Sequence, residues 1–325
     1  MNKYSIILGN LGNTCDRFLS SGYKTQPPKA EMIRQAAEIS GVRGVELVGT
    51  WDVTRENVEE MGELLARHAL ACVSIIPDHF SRQVWGKGAF TSKDPAVRAQ
   101  AFDETCAAAE MARKLACPLI NLWPGQDGYD YIFQSDYLRD RRHTIEAVRK
   151  AAEAYPDIKF SLEYKPKEPR THSTWARAAD TLLVAKETGR PNVGVTVDTG
   201  HSLAGGENMA EAAVLLSDFG KKLFHLHFND NYRSWDDDMI VGSVHFAEFV
   251  ELLFWLRETG YDGWYSMDQY PYREDGQGAL RNSVEFLQAV EAWLDETAME
   301  ELRGLVAEGD AVKSTAWLKR RLFGC

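Results

Sequence analysis

Short apolar runs of five to seven residues alternate along the chain with longer stretches whose apolar positions recur every three or four residues. The runs are Tyr4–Leu8, Gly44–Val48, Ala71–Ile76, Leu119–Trp123, Lys159–Lys165, Asn192–Asp198, Leu223–Asn229 and Trp264–Gln269. They are rich in β-branched and aromatic residues, and they are predicted as strands. The stretches between them, Lys29–Ser40, Thr54–His68, Ala96–Ala116, Leu138–Ala154, Thr174–Glu187, Met209–Phe219, Phe246–Thr259 and Ala279–Leu294, carry the helical period, as in Phe246, Phe249, Val250 and Leu253.

Strands alternating with helices predict parallel pairing through right-handed crossovers. Eight such units close into a (β/α)8 TIM barrel of about 250 residues. An open doubly wound sheet normally follows its first strand with G-x-G-x-x-G. Here the first strand runs into Gly9-Asn10-Leu11-Gly12-Asn13, which lacks that pattern, so the barrel is favoured. Residues 1–296 are predicted as the catalytic barrel. Residues 297–325 read as a C-terminal helical extension, Ala298–Ala307 followed by Ala311–Leu322.

Composition narrows the partners. No stretch approaches the ~20 apolar residues of a membrane span, and Met1–Asn10 reads better as a first strand than as a signal peptide. Five scattered cysteines, without a C-x-x-C pair, argue against a disulfide framework and against a thiolate metal site, and fit a cytoplasmic location. The net charge of −11 disfavours nucleic acid as a partner and a heavily phosphorylated substrate.

In such barrels the chemistry sits at the C-terminal ends of the strands. Four consecutive predicted strands deliver an acid or imidazole there: Glu163, with Lys165 beside it; Asp198, followed by His201; His225 or His227; and Asp268. Periodicity does not separate His225 from His227, since both fall on one strand face. The spacings 163 to 198, 198 to 227 and 227 to 268 are 35, 29 and 41 residues, one βα unit each. Converging carboxylates repel, and a divalent cation resolves the conflict. The oxygen-rich set with imidazole suits Mn²⁺ or Mg²⁺, with Co²⁺ as a third option. The Asp236-Asp237-Asp238 run after the seventh strand offers Asp236 and Asp238 to a second ion, while Asp237 is expected to be exposed. Asn229 and Asp230 read as supporting or turn residues.

The segments "LEYKPKEPR" (162–170), "VDTGH" (197–201), "HFND" (227–230) and "DDDMIVGSV" (236–244) together resemble the xylose isomerase and bacterial L-rhamnose isomerase family. The resemblance covers about residues 118–275; residues 1–117 match only in general barrel pattern. It implies one metal held by Glu163, Asp198, His227 and Asp268. It implies a second held by Asp198, His201, Asp236 and Asp238. Glu163, Lys165 and Asp236 are then the catalytic candidates, with Lys165 also holding the substrate's carbonyl-end oxygen. Trp123, in "NLWPG", resembles the aromatic wall beside the reacting carbons. The family's carbonyl-side histidine has no secure counterpart, and His79 in "IIPDHF" is the candidate.

The implied activity is metal-dependent aldose–ketose isomerisation of a free sugar by a 1,2-hydride shift, in a homodimer or homotetramer. A pentose, a deoxyhexose and a branched aldose all suit a pocket with aromatic residues (Trp51, Trp85, Trp123, Phe228, Tyr270) near strand ends. A ketose 3-epimerase on the same barrel is the alternative; it needs a basic carboxylate, normally glutamate, at the eighth strand, where this chain has Asp268. A metal-dependent endonuclease for damaged DNA is a remote third, set against by the acidic charge and by Asp-x-Asp where such enzymes carry Asp-x-His.

Overall fold

The computed structural model describes residues 3–15 and 18–324. Eight parallel strands close on one another in chain order: β1 (Lys3–Ile7), β2 (Val42–Val48), β3 (Ala71–Ile76), β4 (Leu119–Leu122), β6 (Lys159–Glu163), β9 (Val193–Asp198), β10 (Leu223–Phe228) and β11 (Trp264–Met267). The last pairs back on the first, with Ser5 opposite Ser266. Three short strands, β5 (Gly128–Tyr129), β7 (Lys167–Glu168) and β8 (Thr171–Ser173), form a separate antiparallel sheet above β6. Gly128 is required there: a Cβ on it would lie 1.9 Å from the His172 carbonyl oxygen.

The predicted helices are present, seven with their ends moved; the one predicted over Met209–Phe219 keeps both ends, its last stretch, Leu215–Phe219, being π-helical. They are α1 (Lys29–Glu38), α2 (Val58–Arg67), α3 (Pro95–Lys114), α4 (Tyr137–Ala154), α5 (Ala178–Glu187), α7 (Met209–Val214), α8 (Phe246–Glu258) and α9 (Gly276–Trp293). Their starts are set by local chemistry. Asp94 caps α3 by accepting from Ala96 N–H, with Pro95 in the first turn. The helix expected from Thr174 begins only at Ala178, because His172 and Ser173 are drawn into the antiparallel sheet. A short helix that the pattern did not announce, α6 (Thr199–Ala204), follows β9 at once. Beyond the barrel, α10 (Glu296–Glu308) and α11 (Ala311–Phe323) turn at Gly309, whose φ of 68° is left-handed. Trp317 of α11 packs on Trp293 of α9 with ring centroids 5.7 Å apart, and Arg303 of α10 pairs with Glu258 of α8. No helix among the described residues is long and apolar enough to cross a membrane.

The barrel interior is unusually polar. Every barrel strand contributes a buried polar residue to it: Ser5, Glu46, Ser74, Asn121, Ser161, Thr196, His225 and Ser266. Barrels of this class commonly fill the lumen with branched aliphatic side chains. Here the bonds run across the lumen between strands that are not neighbours, as from Glu46 on β2 to His225 on β10 and from Thr196 on β9 to Asn121 on β4. Apolar packing lies instead between sheet and helices, where Phe228, Phe249 and Tyr265 stack.

Candidate metal centre

The upward ends of β6, β9, β10 and β11 bring Glu163, Asp198, His227 and Asp268 to one point, with one ligating atom of each within 4.8 Å of the others. His227 Nδ1 lies 3.4 Å from Glu163 Oε2 and 3.2 Å from Asp268 Oδ2. The adjacency follows from register, since His227 pairs with Asp198 on one side and Ser266 on the other. Asp198, His201 and Asp236 form a second group with the same spread, sharing Asp198 with the first. Asp198 ends β9 and caps α6, its Oδ1 accepting from His201 N–H at 2.8 Å. That cap places His201 one helical turn above it. His201 Nε2 then stands 3.1 Å from Asp236 Oδ2. Of the two histidines on β10, His227 reaches the carboxylates, while His225 lies deeper, on Glu46.

Supporting side chains aim the carboxylates. Asn121 donates to Glu163 Oε2 and Asn229 donates to Asp198 Oδ2. Gly200 leaves room for Asn229, whose Oδ1 would lie 1.9 Å from any Cβ at that position. Asp230 binds His245 Nδ1 and the His245 and Val244 N–H groups, so it serves the loop after β10. Asp238 lines the same cavity with a left-handed φ of 50°, and its carbonyl accepts from Tyr270 N–H. Asp237 is half-buried and accepts from Tyr232 N–H, where an exposed side chain was expected.

Lys165 is buried between acids. Its Nζ is 2.8 Å from Asp236 Oδ2, contacts Glu168, and stands over the Trp123 ring at 5.1 Å from its centroid. Burial would raise Asp236, but Lys165 and His201 hold its carboxyl well below the usual range. Burial, followed by the negative charges of Asp236, Asp268 and Glu163, pushes Asp198 up to about 7 against the pull of His201. Burial and the neighbouring Asp236 and Asp268 likewise raise Asp238. Trp123 packs edge-on against Phe80, and Phe80 against Trp51, as one continuous wall.

Glu163, Lys165, His201, Asp236, Asp238, Asp268 and the aromatic wall line a cavity of about 450 Å³ that also takes in Ile7, Val48, Ile76 and Tyr270. His79 is not brought to it. Its ring is enclosed between Trp85 and Phe90, 2 % exposed, and burial lowers it to about 4. Trp85 and Phe228 are also enclosed in packing rather than set on the cavity, unlike Trp51, Trp123 and Tyr270. Sequence reasoning passed over Glu46, Asn121, Phe80 and Glu168. Glu46 did leave a signal: it is the one acid within the apolar run "GVELV".

The donor set fits a divalent cation. His201 Nδ1, His227 Nδ1 and Asp236 Oδ1 are buried without a hydrogen-bond partner, the two ring nitrogens standing 3.3 and 3.4 Å from Glu163 carboxylate oxygens. Unsatisfied buried polar atoms are costly; a cation in the first group would satisfy His227 Nδ1, and one in the second would satisfy His201 Nδ1 and Asp236 Oδ1.

A family model described as "Xylose isomerase-like TIM barrel" matches residues 33–290, and the chain belongs to that family. It is 28 % identical over 239 residues to the xylose isomerase of Thermus thermophilus, an alignment covering 69 % of this chain and 61 % of the relative. The chain thus spans about 61 % of the length of that relative and of the Thermus caldophilus xylose isomerase, which is 27 % identical. Among solved structures, a D-tagatose 3-epimerase-like protein superposes with a TM-score of 0.67 at 22 % identity, over 89 % of this chain and 98 % of the other. A D-psicose 3-epimerase gives 0.70 at 17 % identity, over 89 % and 99 %. At such identities the structural likeness is one of fold. The family is one of enzymes, and its two sequence relatives named above are xylose isomerases.

Proposed function

We propose that the chain interconverts an aldose and a ketose, acting on a free sugar with the help of one or two divalent cations, Mn²⁺ or Mg²⁺. The observation that carries this reading is the pair of acid–imidazole groups that share Asp198, with Lys165 bonded to the second of them. Glu163, Asp198, His227 and Asp268 would hold one ion. Asp198, His201 and Asp236 would hold the other, with Asp238 at its edge. When bound, such ions supply Lewis-acid polarisation of two neighbouring sugar oxygens.

The side chains do the rest. Lys165 donates to the carbonyl-end oxygen. Lys165 and Asp236, 2.8 Å apart, provide the donor and acceptor that carry the hydroxyl proton from O2 to O1. The C2 hydrogen crosses to C1 as hydride beside the Trp51–Phe80–Trp123 wall, whose apolar faces keep water from exchanging it. The aldehyde carbon is reduced and C2 oxidised, so no external redox partner is needed.

The epimerase alternative has its own support in the two carboxylates, Glu163 and Asp268, that flank His227 Nδ1. It makes no use of Asp236 or Lys165, and Asp268 reaches less far than the glutamate such chemistry employs. The discriminating experiment follows a panel of aldoses and ketoses by NMR with chelator-stripped protein, with and without Mn²⁺. Aldose–ketose exchange restored by Mn²⁺ and lost in Glu163→Gln is expected. Restored inversion at C3 of a ketose would replace the isomerase reading with the epimerase one.

A further inference from the structure

We propose that Glu46 is a positioning residue for His227: it fixes the ring's proton on Nε2 and thereby turns a bare Nδ1 toward the cation cluster. The inference rests on the reading of Glu163, Asp198, His227 and Asp268 as a cation site.

Glu46 leaves β2 in the middle of the barrel and is fully buried. Its carboxylate crosses the lumen to β10. Oε1 is 2.8 Å from His225 Nε2 and takes the Ser266 hydroxyl; Oε2 is 3.2 Å from His227 Nε2 and takes the Ser74 hydroxyl. Four groups therefore converge on one acceptor. An ionised carboxylate has no proton to give, so every partner must donate, including both ring nitrogens. A neutral imidazole carries a single N–H. A ring that ligates a cation is neutral, and with its one proton committed to Glu46 Oε2, His227 Nδ1 would offer its lone pair to the ion. This is the atom that lacks a hydrogen-bond partner and stands 3.4 and 3.2 Å from Glu163 Oε2 and Asp268 Oδ2.

Three electron-rich atoms facing one another at that range repel unless a positive charge lies among them. Glu46 thus dictates from below that the ring meets the cluster as a ligand rather than as a donor. Carboxylate–imidazole–metal arrangements of this kind orient the ring and raise its basicity. Glu46, His225 and His227 also lie close enough to be read as a cation site themselves. The hydrogen bonds argue otherwise. Both Glu46 oxygens and both facing ring nitrogens are engaged, and the one unpartnered ring atom, His227 Nδ1, points to the other cluster. Ser74 and Ser266 each donate a further hydroxyl to the Glu46 carboxylate.

The test reads cation binding and the ring proton rather than turnover. Metal-free native protein and Glu46→Gln are titrated with Mn²⁺, followed by calorimetry and by the electron spin resonance of free Mn²⁺. The tighter site is expected to weaken by about 10- to 100-fold in Glu46→Gln, with binding at the Asp198–His201–Asp236 group changed far less. In parallel, ¹⁵N NMR of the Mg²⁺-saturated native protein is expected to show the His227 proton on Nε2. This second measurement needs no variant and stands even if Glu46→Gln does not fold. Unchanged Mn²⁺ affinity in a folded Glu46→Gln, or a native His227 protonated on Nδ1, overturns the positioning role while leaving the cation site intact. Failure of the native protein to bind Mn²⁺ or Mg²⁺ overturns the cation reading, and this inference with it.

Discussion

The Asn121 side-chain amide donates to Glu163 Oε2 at 2.6 Å, while its own carbonyl oxygen receives the Thr196 hydroxyl at 2.7 Å. Ser161 Oγ continues the chain 2.6 Å from Thr196 Oγ1. Glu163 is thus aimed by residues of three strands, β4, β6 and β9. Asn121→Ala leaves Glu163 short of a buried donor, a loss of about 1–3 kcal/mol. It is expected to lower kcat/KM by at least ten-fold while far-UV circular dichroism stays native. Steady-state kinetics with saturating Mn²⁺ provides the check, and unaltered kcat/KM would remove Asn121 from the supporting role.

Lys165→Met is expected to cut kcat by about 10² to 10³, the usual cost of removing one donor to a developing oxyanion, while Mn²⁺ binding persists. Lys165→Arg is expected not to rescue it. The planar guanidinium needs a fork of acceptors, whereas the space between the Trp123 face and Asp236 suits a compact ammonium. Turnover in Lys165→Arg near the native rate would show that charge alone suffices there.

Removal of the cation should be visible in stability, because a ligand that binds only the folded state stabilises it by about 2.7 kcal/mol at a hundred times its Kd. Excess Mn²⁺ is expected to raise Tm by several degrees, and chelator to reverse the rise. Asp198→Asn should behave in the opposite sense to an ordinary core substitution. It relieves the repulsion from Asp236, Asp268 and Glu163, so its metal-free Tm is expected to equal or exceed that of the native protein. It should no longer respond to Mn²⁺. Thermal scans with and without the ion decide this.

His79 gives a pH signature independent of the site. Burial between Trp85 and Phe90 lowers it from its ordinary 6.5 to about 4. Between those values the unfolded chain binds the extra proton and the folded one does not, so stability rises with pH. The contribution is present in full above 6.5 and is lost as pH falls to 4, amounting to roughly 3 kcal/mol. His79→Phe cannot titrate and should show a flatter decline over that range in urea unfolding. Parallel curves for the two proteins would mean that His79 titrates normally.

The strand pattern locates all eight barrel strands to within one or two residues, as at Ala71–Ile76 and Lys159–Glu163. The reason is that alternating helix and strand periods respond to burial, which a barrel imposes on every unit alike. Most helix ends moved by local capping, as at Asp94, and one moved because of a long-range partner. Ser173 pairs with Gly128, 45 residues before it, and so shortens the α5 helix. Helix α6 begins where it does because Asp198 caps it, a role invisible while Asp198 is weighed as a metal ligand alone.

By itself the sequence determined the strand and helix order, the family, and which strand ends carry carboxylate and imidazole, because these are properties of local pattern and motif. The tertiary structure alone decided how those groups meet. It turned His227 rather than His225 to the cluster, enclosed His79 away from the cavity, and drew Glu46 and Asn121 beneath the site. Glu46 and His225 are separated by 179 residues and bonded at 2.8 Å. Closing a sheet into a barrel brings opposite strands face to face across the lumen, and a contact made only by closure leaves no periodic trace along the chain.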